Sequence, residues 1–126
     1  KTDAGFVTGN QIELSQVVTN LLNNAAEAIP TDAHEKWVKL ETYFEAGSYV
    51  IEISDSGSGI PEQVLPRLFE PFFTTKGDEE GTGLGLPICK NIILQHHGDL
   101  YLKPGTKNTF VVHIPLAKET AAPQVA

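Results

Sequence analysis

The chain has 126 residues, 40% of them hydrophobic, a size and composition that suit one domain with a core of its own. Its 9 Lys and Arg against 16 Asp and Glu leave a net charge of −7, which excludes a general nucleic-acid surface, so any polyanionic ligand must be held locally. The single cysteine, Cys89, rules out an internal disulfide and has no partner at zinc-ligand spacing, and no apolar run reaches the ~20 residues that span a bilayer. A reducing, cytoplasmic setting without membrane contact is expected, any membrane anchor of a parent protein lying outside this segment. The start at Lys1 and the absence of Met read as a fragment of something larger.

After a turn at Thr8-Gly9-Asn10, residues Gln11 to Ile29 are apolar at helical spacing: Leu14, Val17, Val18, Leu21, Leu22, Ala25 and Ile29. A long amphipathic helix ending before Pro30 is predicted. Its other face carries Gln16, Asn20, Asn24 and Glu27 as one polar stripe, with Asn23 beside it. Asn competes for backbone hydrogen bonds and is a poor helix-interior residue. The stripe is either a solvated face or a site of ordered contact, and uncharged amides one turn apart suit the second; an amide oxygen is a hard ligand of the kind Mg²⁺ takes.

Lys36 to Phe44 and Ser48 to Ser54 both alternate and flank the turn Glu45-Ala46-Gly47, so they predict a β-hairpin. Its second strand runs straight into DSGSGI, Asp55 to Ile60. Asp-Ser-Gly is ordinary turn chemistry, yet a carboxylate followed at once by bare backbone at a strand's exit is also a place to hold a ligand. Glu62 to Leu68 predicts a brief helix made irregular by Pro66, and Phe69-Glu70-Pro71-Phe72-Phe73 forms an aromatic knot that reads as a core plug beneath a loop.

Thr74 to Glu80 is polar and aperiodic, a loop that leads into Gly81-Thr82-Gly83-Leu84-Gly85-Leu86 and then an apolar-periodic helix from Ile88 to Gln95. Glycines before a helix act either as a hinge or as a phosphate cradle, since the helix's first N–H groups lack partners. Pro87 fits the first turn, and Gly98 is placed as the C-terminal cap after His96 and His97. Asp99 to Lys103 and Thr109 to Pro115 predict a second hairpin. Residues 1–116 form the domain, and Ala117 to Ala126 a flexible tail.

Together NLLNNA (Asn20 to Ala25), DSGSGI, LFEPFFTTK (Leu68 to Lys76) and GTGLGL resemble, in that order, the N box, first glycine box, F box and second glycine box of sensor histidine kinase catalytic domains. These domains are part of a wider superfamily that also holds gyrase, chaperone and mismatch-repair ATPases. The resemblance runs from Ile12 to Leu116. It implies an α+β fold, a two-layer α/β sandwich of the Bergerat type, with a mixed β-sheet covered on one face by helices and a flexible ATP lid. It implies that Asp55 binds the adenine amino group, that Gly57 and Gly59 admit the base and sugar, and that Asn24 holds Mg²⁺ while Asn20 positions the phosphates. Thr82, Gly83 and Gly85 would line the triphosphate, and Lys76 would reach the γ-phosphate. The resemblance also implies that Ile60, Phe69, Thr74, Thr75, Gly81, Leu84 and Leu86, which fall within the same boxes, and Glu27, two residues past the N box, complete the nucleotide site.

The ATPase branches carry a catalytic Glu where this chain has Asn20. An amide cannot take a proton from water, so transfer to a protein acceptor is favoured over hydrolysis. Many relatives also place a basic residue three positions after the metal-binding Asn, where this chain has Glu27, which leaves Lys76 or Arg67 to meet the phosphate charge. His34, His96, His97 and His113 read as surface or packing residues, not phosphoacceptors. The resemblance therefore implies two partners, a histidine-bearing dimerisation domain of the same protein preceding Lys1 and the receiver domain of a response regulator. The fragment would be monomeric and the full protein homodimeric. The alternatives on the same fold are a serine kinase of the anti-sigma type and an ATP-sensing module that transfers nothing.

Overall fold

The computed structural model describes residues 9–70 and 85–116. The order of elements is helix α1 (Gln11–Glu27), strands β1 (Val38–Glu45) and β2 (Ser48–Asp55), a 3₁₀ helix (Glu62–Arg67), helix α2 (Gly85–Gln95), and strands β3 (Asp99–Leu102) and β4 (Thr109–Pro115). None of the described helices is long and apolar enough to cross a membrane.

Both predicted hairpins form, and they join through their second strands to give the sheet order β1-β2-β4-β3. Ala46 (φ 51°) and Gly47 (φ 80°) are both left-handed, the geometry of a tight two-residue turn whose twist matches the strands it links. The resemblance implied a mixed sheet. The described strands instead pair antiparallel throughout, because each hairpin is antiparallel by its connection and β2 and β4 run in opposite directions where they meet.

The alternation of β2 and β4 sends Tyr49, Ile51, Ile53, Phe110, Val112 and Ile114 to one face, where both helices cover them. From α1 come Val17, Leu21 and Ala25, one turn apart on a single stripe; from α2 come Cys89, Ile92 and Ile93. Among the described residues no second layer covers the other face, and its own side chains shield it. Glu52, only 6% exposed, takes hydrogen bonds from Tyr43 Oη and from Lys103 Nζ (3.1 Å), Ser54 Oγ lies 3.0 Å from Thr109 Oγ1, and Tyr101 stacks on His113. The tyrosine–carboxylate contact pushes the Tyr43 phenol up to about 12 and pulls the Glu52 carboxyl down.

The helix ends depart from expectation in instructive ways. Asn10, placed in a turn by the sequence, is the N-cap of α1: its Oδ1 accepts the Glu13 N–H at 3.0 Å. The first helix closes at Glu27, short of Ile29. The 3₁₀ geometry of Glu62–Arg67 accommodates Pro66, which has no N–H for an α-helical bond. At the end of α2 the left-handed residue is His97 (φ 67°), not Gly98. The Gly98 N–H reaches Ile93 O and the His97 N–H reaches Leu94 O, both at 3.0 Å, a six-to-one and five-to-two closure of the helix. Glycine is required at 98 for space, since a Cβ there would lie 1.8 Å from His113 O.

That close approach of α2's exit to β4 predicts that Gly98→Ala costs at least the upper end of the ~1–3 kcal/mol typical of overpacking. Gly105→Ala is the control, because a Cβ at Gly105 meets nothing within 4 Å and suffers only the left-handed φ of +83°. Urea unfolding of both variants compares the two, and equal losses would contradict the packing described.

Candidate functional site

The polar stripe of α1 meets α2 through Asn20. Asn20 and Asn24 are half-buried, whereas Asn23 and Glu27 are exposed. Asn20 Nδ2 lies 3.6 Å from Cys89 Sγ on α2, and that thiol in turn lies 3.9 Å from Val17 O. Asn20 is thus tied across the helix pair through its nitrogen, which leaves its amide oxygen uncommitted by this contact. Burial raises the Cys89 thiol above its usual range, so it acts here as a neutral packing group.

Asp55 is the last residue of β2 and is 6% exposed. Its Oδ1 accepts the Gly57 N–H at 2.7 Å, and among the described residues no donor meets Oδ2. Desolvation pushes the Asp55 carboxyl up, and the Gly57 N–H opposes that shift. The following residues are fastened on two sides. Ser56 N–H donates to Trp37 O (3.1 Å), while its hydroxyl accepts the Trp37 N–H (3.0 Å). Ile60 N–H donates to Lys107 O at 2.8 Å.

Both glycines of this loop are needed where they stand. A Cβ on Gly57 would come 2.6 Å from Ala28 O, so its bareness lets the loop close against the end of α1. Gly59 has φ +95°, and a Cβ there would meet Lys107 Cβ at 2.6 Å. The absence of side chains therefore brings Asp55, the exit of α1 and the β3–β4 loop together.

Phe69 is half-buried against the core, edge-on to Phe110 at 6.5 Å, with Lys90 Nζ 4.9 Å above its ring. Lys90 is itself held by Asp99 Oδ1 (2.9 Å) and Leu100 O (2.7 Å), so the expected plug is fixed to the α2–β3 junction. Gly85 opens α2 and Leu86 packs on the core, but a Cβ on Gly85 would meet nothing within 4 Å. Arg67, one candidate for meeting phosphate charge, pairs with Glu70 at 3.0 Å. Phe72, Thr74, Thr75, Lys76, Gly81, Thr82, Gly83 and Leu84 lie outside the described residues, as does the tail from Ala117.

The histidines have structural surroundings. His96 Nε2 accepts the Asn10 N–H at 3.0 Å and Nδ1 faces Ile92 O at 2.7 Å, which joins the start of α1 to the end of α2. His113 Nε2 lies 2.8 Å from Tyr101 Oη, and His34 is exposed in a connecting segment. An open depression of about 340 Å³, lined by His97, Asp99, Tyr101 and His113 among others, contains none of the box residues. Among the described residues no three His, Cys, Asp or Glu side chains converge as a metal site. Sequence reasoning missed Lys107 and Asn108, whose backbone and side chain grip the Asp55 loop; the only signal was their place in a turn.

Comparison with known proteins agrees with this geometry. The family model described as histidine kinase-, DNA gyrase B- and HSP90-like ATPase matches residues 9–118. Sporulation kinase C of Bacillus subtilis is 36% identical over 122 residues, covering 95% of this chain and 27% of that protein. Sensor protein FixL of Bradyrhizobium diazoefficiens is 35% identical over 118 residues, 92% of this chain and 23% of its own length. The chain thus spans about a quarter of these curated relatives. Among solved structures, the mycobacterial sensor histidine kinase MprB superposes with a TM-score of 0.73 at 31% identity, over 87% of this chain and 76% of that one. The catalytic domain of histidine kinase ThkA gives 0.72 at 32% identity, over 86% and 70%. The order of the boxes, the antiparallel sheet under two helices and these matches agree: the chain belongs to the histidine kinase-, DNA gyrase B- and HSP90-like ATPase family, as an ATP-binding domain of the sensor histidine kinase type.

Proposed function

We propose that this chain is the catalytic domain that binds ATP and Mg²⁺ and passes the γ-phosphate to a histidine on a dimerisation domain outside this sequence, for onward transfer to a response regulator. The observation that carries the reading is Asp55: a nearly buried carboxylate with one oxygen held by Gly57 and the other met by no donor among the described residues, beside backbone stripped of side chains. An adenine amino group suits that oxygen. A hydrogen bond to a charged acceptor contributes about 1.5–3 kcal/mol, enough to separate adenine from a base presenting a carbonyl oxygen at the same point.

The phosphate end would lie along α1 and the start of α2. Asn24 would supply an amide oxygen to Mg²⁺, whose remaining ligands would come from phosphate oxygens and water, the usual pattern for this ion. The ion when bound neutralises charge on the transferring phosphoryl group. Asn20, with its nitrogen engaged by Cys89, would present its oxygen without acting as a base toward water. The acceptor imidazole nitrogen would form the new N–P bond as the bond to the β-phosphate oxygen breaks, leaving ADP. Lys76 and the residues from Thr74 to Leu84 would close over the triphosphate.

Calorimetric titration with a non-hydrolysable ATP analogue tests the adenine end. Asp55→Asn should weaken binding at least about tenfold, and unchanged affinity would remove the assignment. The raised Asp55 carboxyl adds a pH signature. Binding in the unsubstituted protein should fall on acidification at a pH above the ordinary aspartate range, and Asp55→Asn should flatten that dependence. A folded-state pKa above the unfolded one also means that this group's contribution to stability, present at low pH, is lost as pH rises through the folded value. Unliganded Asp55→Asn should therefore be no less stable than the original at neutral pH, as thermal unfolding would show.

For the phosphate end, the domain is mixed with the histidine-bearing helices of its parent and labelled ATP. Acid-labile phosphohistidine should form, and Asn24→Ala should abolish it while nucleotide binding persists. Intact binding with no phosphohistidine in the unsubstituted protein would instead support a nucleotide sensor.

A further inference from the structure

We infer that Asn108, in the loop between β3 and β4, is a positioning residue that sets the base specificity of the pocket by fixing the backbone that orients Asp55. This deepens the proposed function and rests on its assignment of Asp55 to the adenine base.

The regular ladder between β2 and β4 ends at Ser54 and Thr109. One residue further, Asp55 N–H still reaches Asn108 O at 3.3 Å. The Asn108 side chain then crosses the gap: Nδ2 donates to Asp55 O at 2.7 Å and approaches Gly57 O at 3.4 Å. An amide nitrogen carries two hydrogens, so one side chain can serve both carbonyls. Between those two carbonyls sits the Gly57 N–H that holds Asp55 Oδ1 at 2.7 Å.

Gly57 has no side chain to restrain it, and glycine is the residue whose backbone is otherwise freest to rotate. A rotation there would turn the N–H away from the carboxylate and release Asp55 to other rotamers. Asn108 restrains this turn from outside, its two contacts lying 53 and 51 residues away in sequence. The loop that carries Asn108 is itself tied down. Thr106 N–H and Oγ1 both donate to Lys103 O, at 3.1 and 2.8 Å, and Lys103 N–H donates to Thr109 O at 2.8 Å. The chain thus holds the carboxylate in advance of binding, which lowers the ordering cost of capturing the base.

The chemistry follows from Oδ2, which must face an amine. An adenine offers a donor at that point, whereas a guanine presents a carbonyl oxygen, and two acceptors repel. A loosened carboxylate can swing away from the oxygen, so discrimination falls before phosphate contacts change.

The test measures affinities of the chain for non-hydrolysable ATP and GTP analogues and for adenosine, in Asn108→Ala, Asn108→Asp and Asn108→Ser. Asn108→Ala should weaken the ATP analogue and adenosine by the same factor, about tenfold, and leave the GTP analogue unchanged, so that the adenine preference shrinks by that factor. Asn108→Asp, which sets an acceptor against two carbonyls, should lose more, and Asn108→Ser, which keeps one donor, should lose less. In an Asp55→Asn background Asn108→Ala should no longer alter the preference. A role confined to holding the fold would lower the unfolding temperature or weaken every ligand alike, and either result with an unchanged preference overturns the proposal. If Asn108→Ala does not fold, the Asn108→Ser and Asn108→Asp comparison decides by the same ratio. An unchanged preference in Asp55→Asn itself would reject the adenine assignment, whereas a changed one with inert Asn108 variants would reject only the role of Asn108.

Discussion

The bond on which this site depends is the 2.7 Å contact between the Gly57 N–H and Asp55 Oδ1. It stabilises a carboxylate that burial at the exit of β2 would otherwise disfavour, and it turns the chain within two residues of the strand. The bond forms only because Gly57 is bare: any Cβ would press on Ala28 O at the end of α1 and on Asp55 Oδ1 itself. One missing side chain thus couples the charge, the turn and the seating of the loop on the first helix.

The rest of the fold supplies the frame for that contact. Antiparallel pairing places β2 inside the sheet, between β1 and β4, so its last residue is flanked on both sides. Trp37 and Ser56 exchange hydrogen bonds on one flank, and Lys107 and Asn108 grip the loop on the other. The two helices cover one face, and their packing sets Asn20 beside Cys89, while α1, which carries Asn20 and Asn24, ends against Gly57. A ligand with a base at one end and charge at the other suits such an arrangement.

Much of this was legible in the residues, and what was not has identifiable causes. The spacing of Val17, Leu21 and Ala25 reported the buried stripe of α1, and the alternation of Ser48 to Ser54 and Thr109 to Pro115 reported the inner strands. β1 alternates as well, yet every residue from Val38 to Glu45 is exposed, because the core that the two helices form over β2, β3 and β4 takes no residue from β1, and coverage by other elements is not written in a strand's own pattern. Gly98 read as the left-handed cap, whereas His97 took that conformation and Gly98 answered the proximity of His113 O, a contact made by a strand that is far along the chain. Asp55 taken alone read first as part of a turn, since nothing local tells that a carboxylate will be buried. Lys107 and Asn108 signalled only a turn, as their partners lie about fifty residues earlier.

The central claim, that the base end of a nucleotide sits at Asp55, is tested most directly by backbone and side-chain NMR of the chain on adding a Mg²⁺-bound, non-hydrolysable ATP analogue. The account predicts the largest amide shifts at Asp55 to Ile60, with the side-chain amides of Asn20 and Asn24 following, and a contact between an adenine proton and the Gly57–Ile60 backbone. Shifts confined to the depression bounded by Tyr101 and His113, with the Asp55 loop undisturbed, would contradict it.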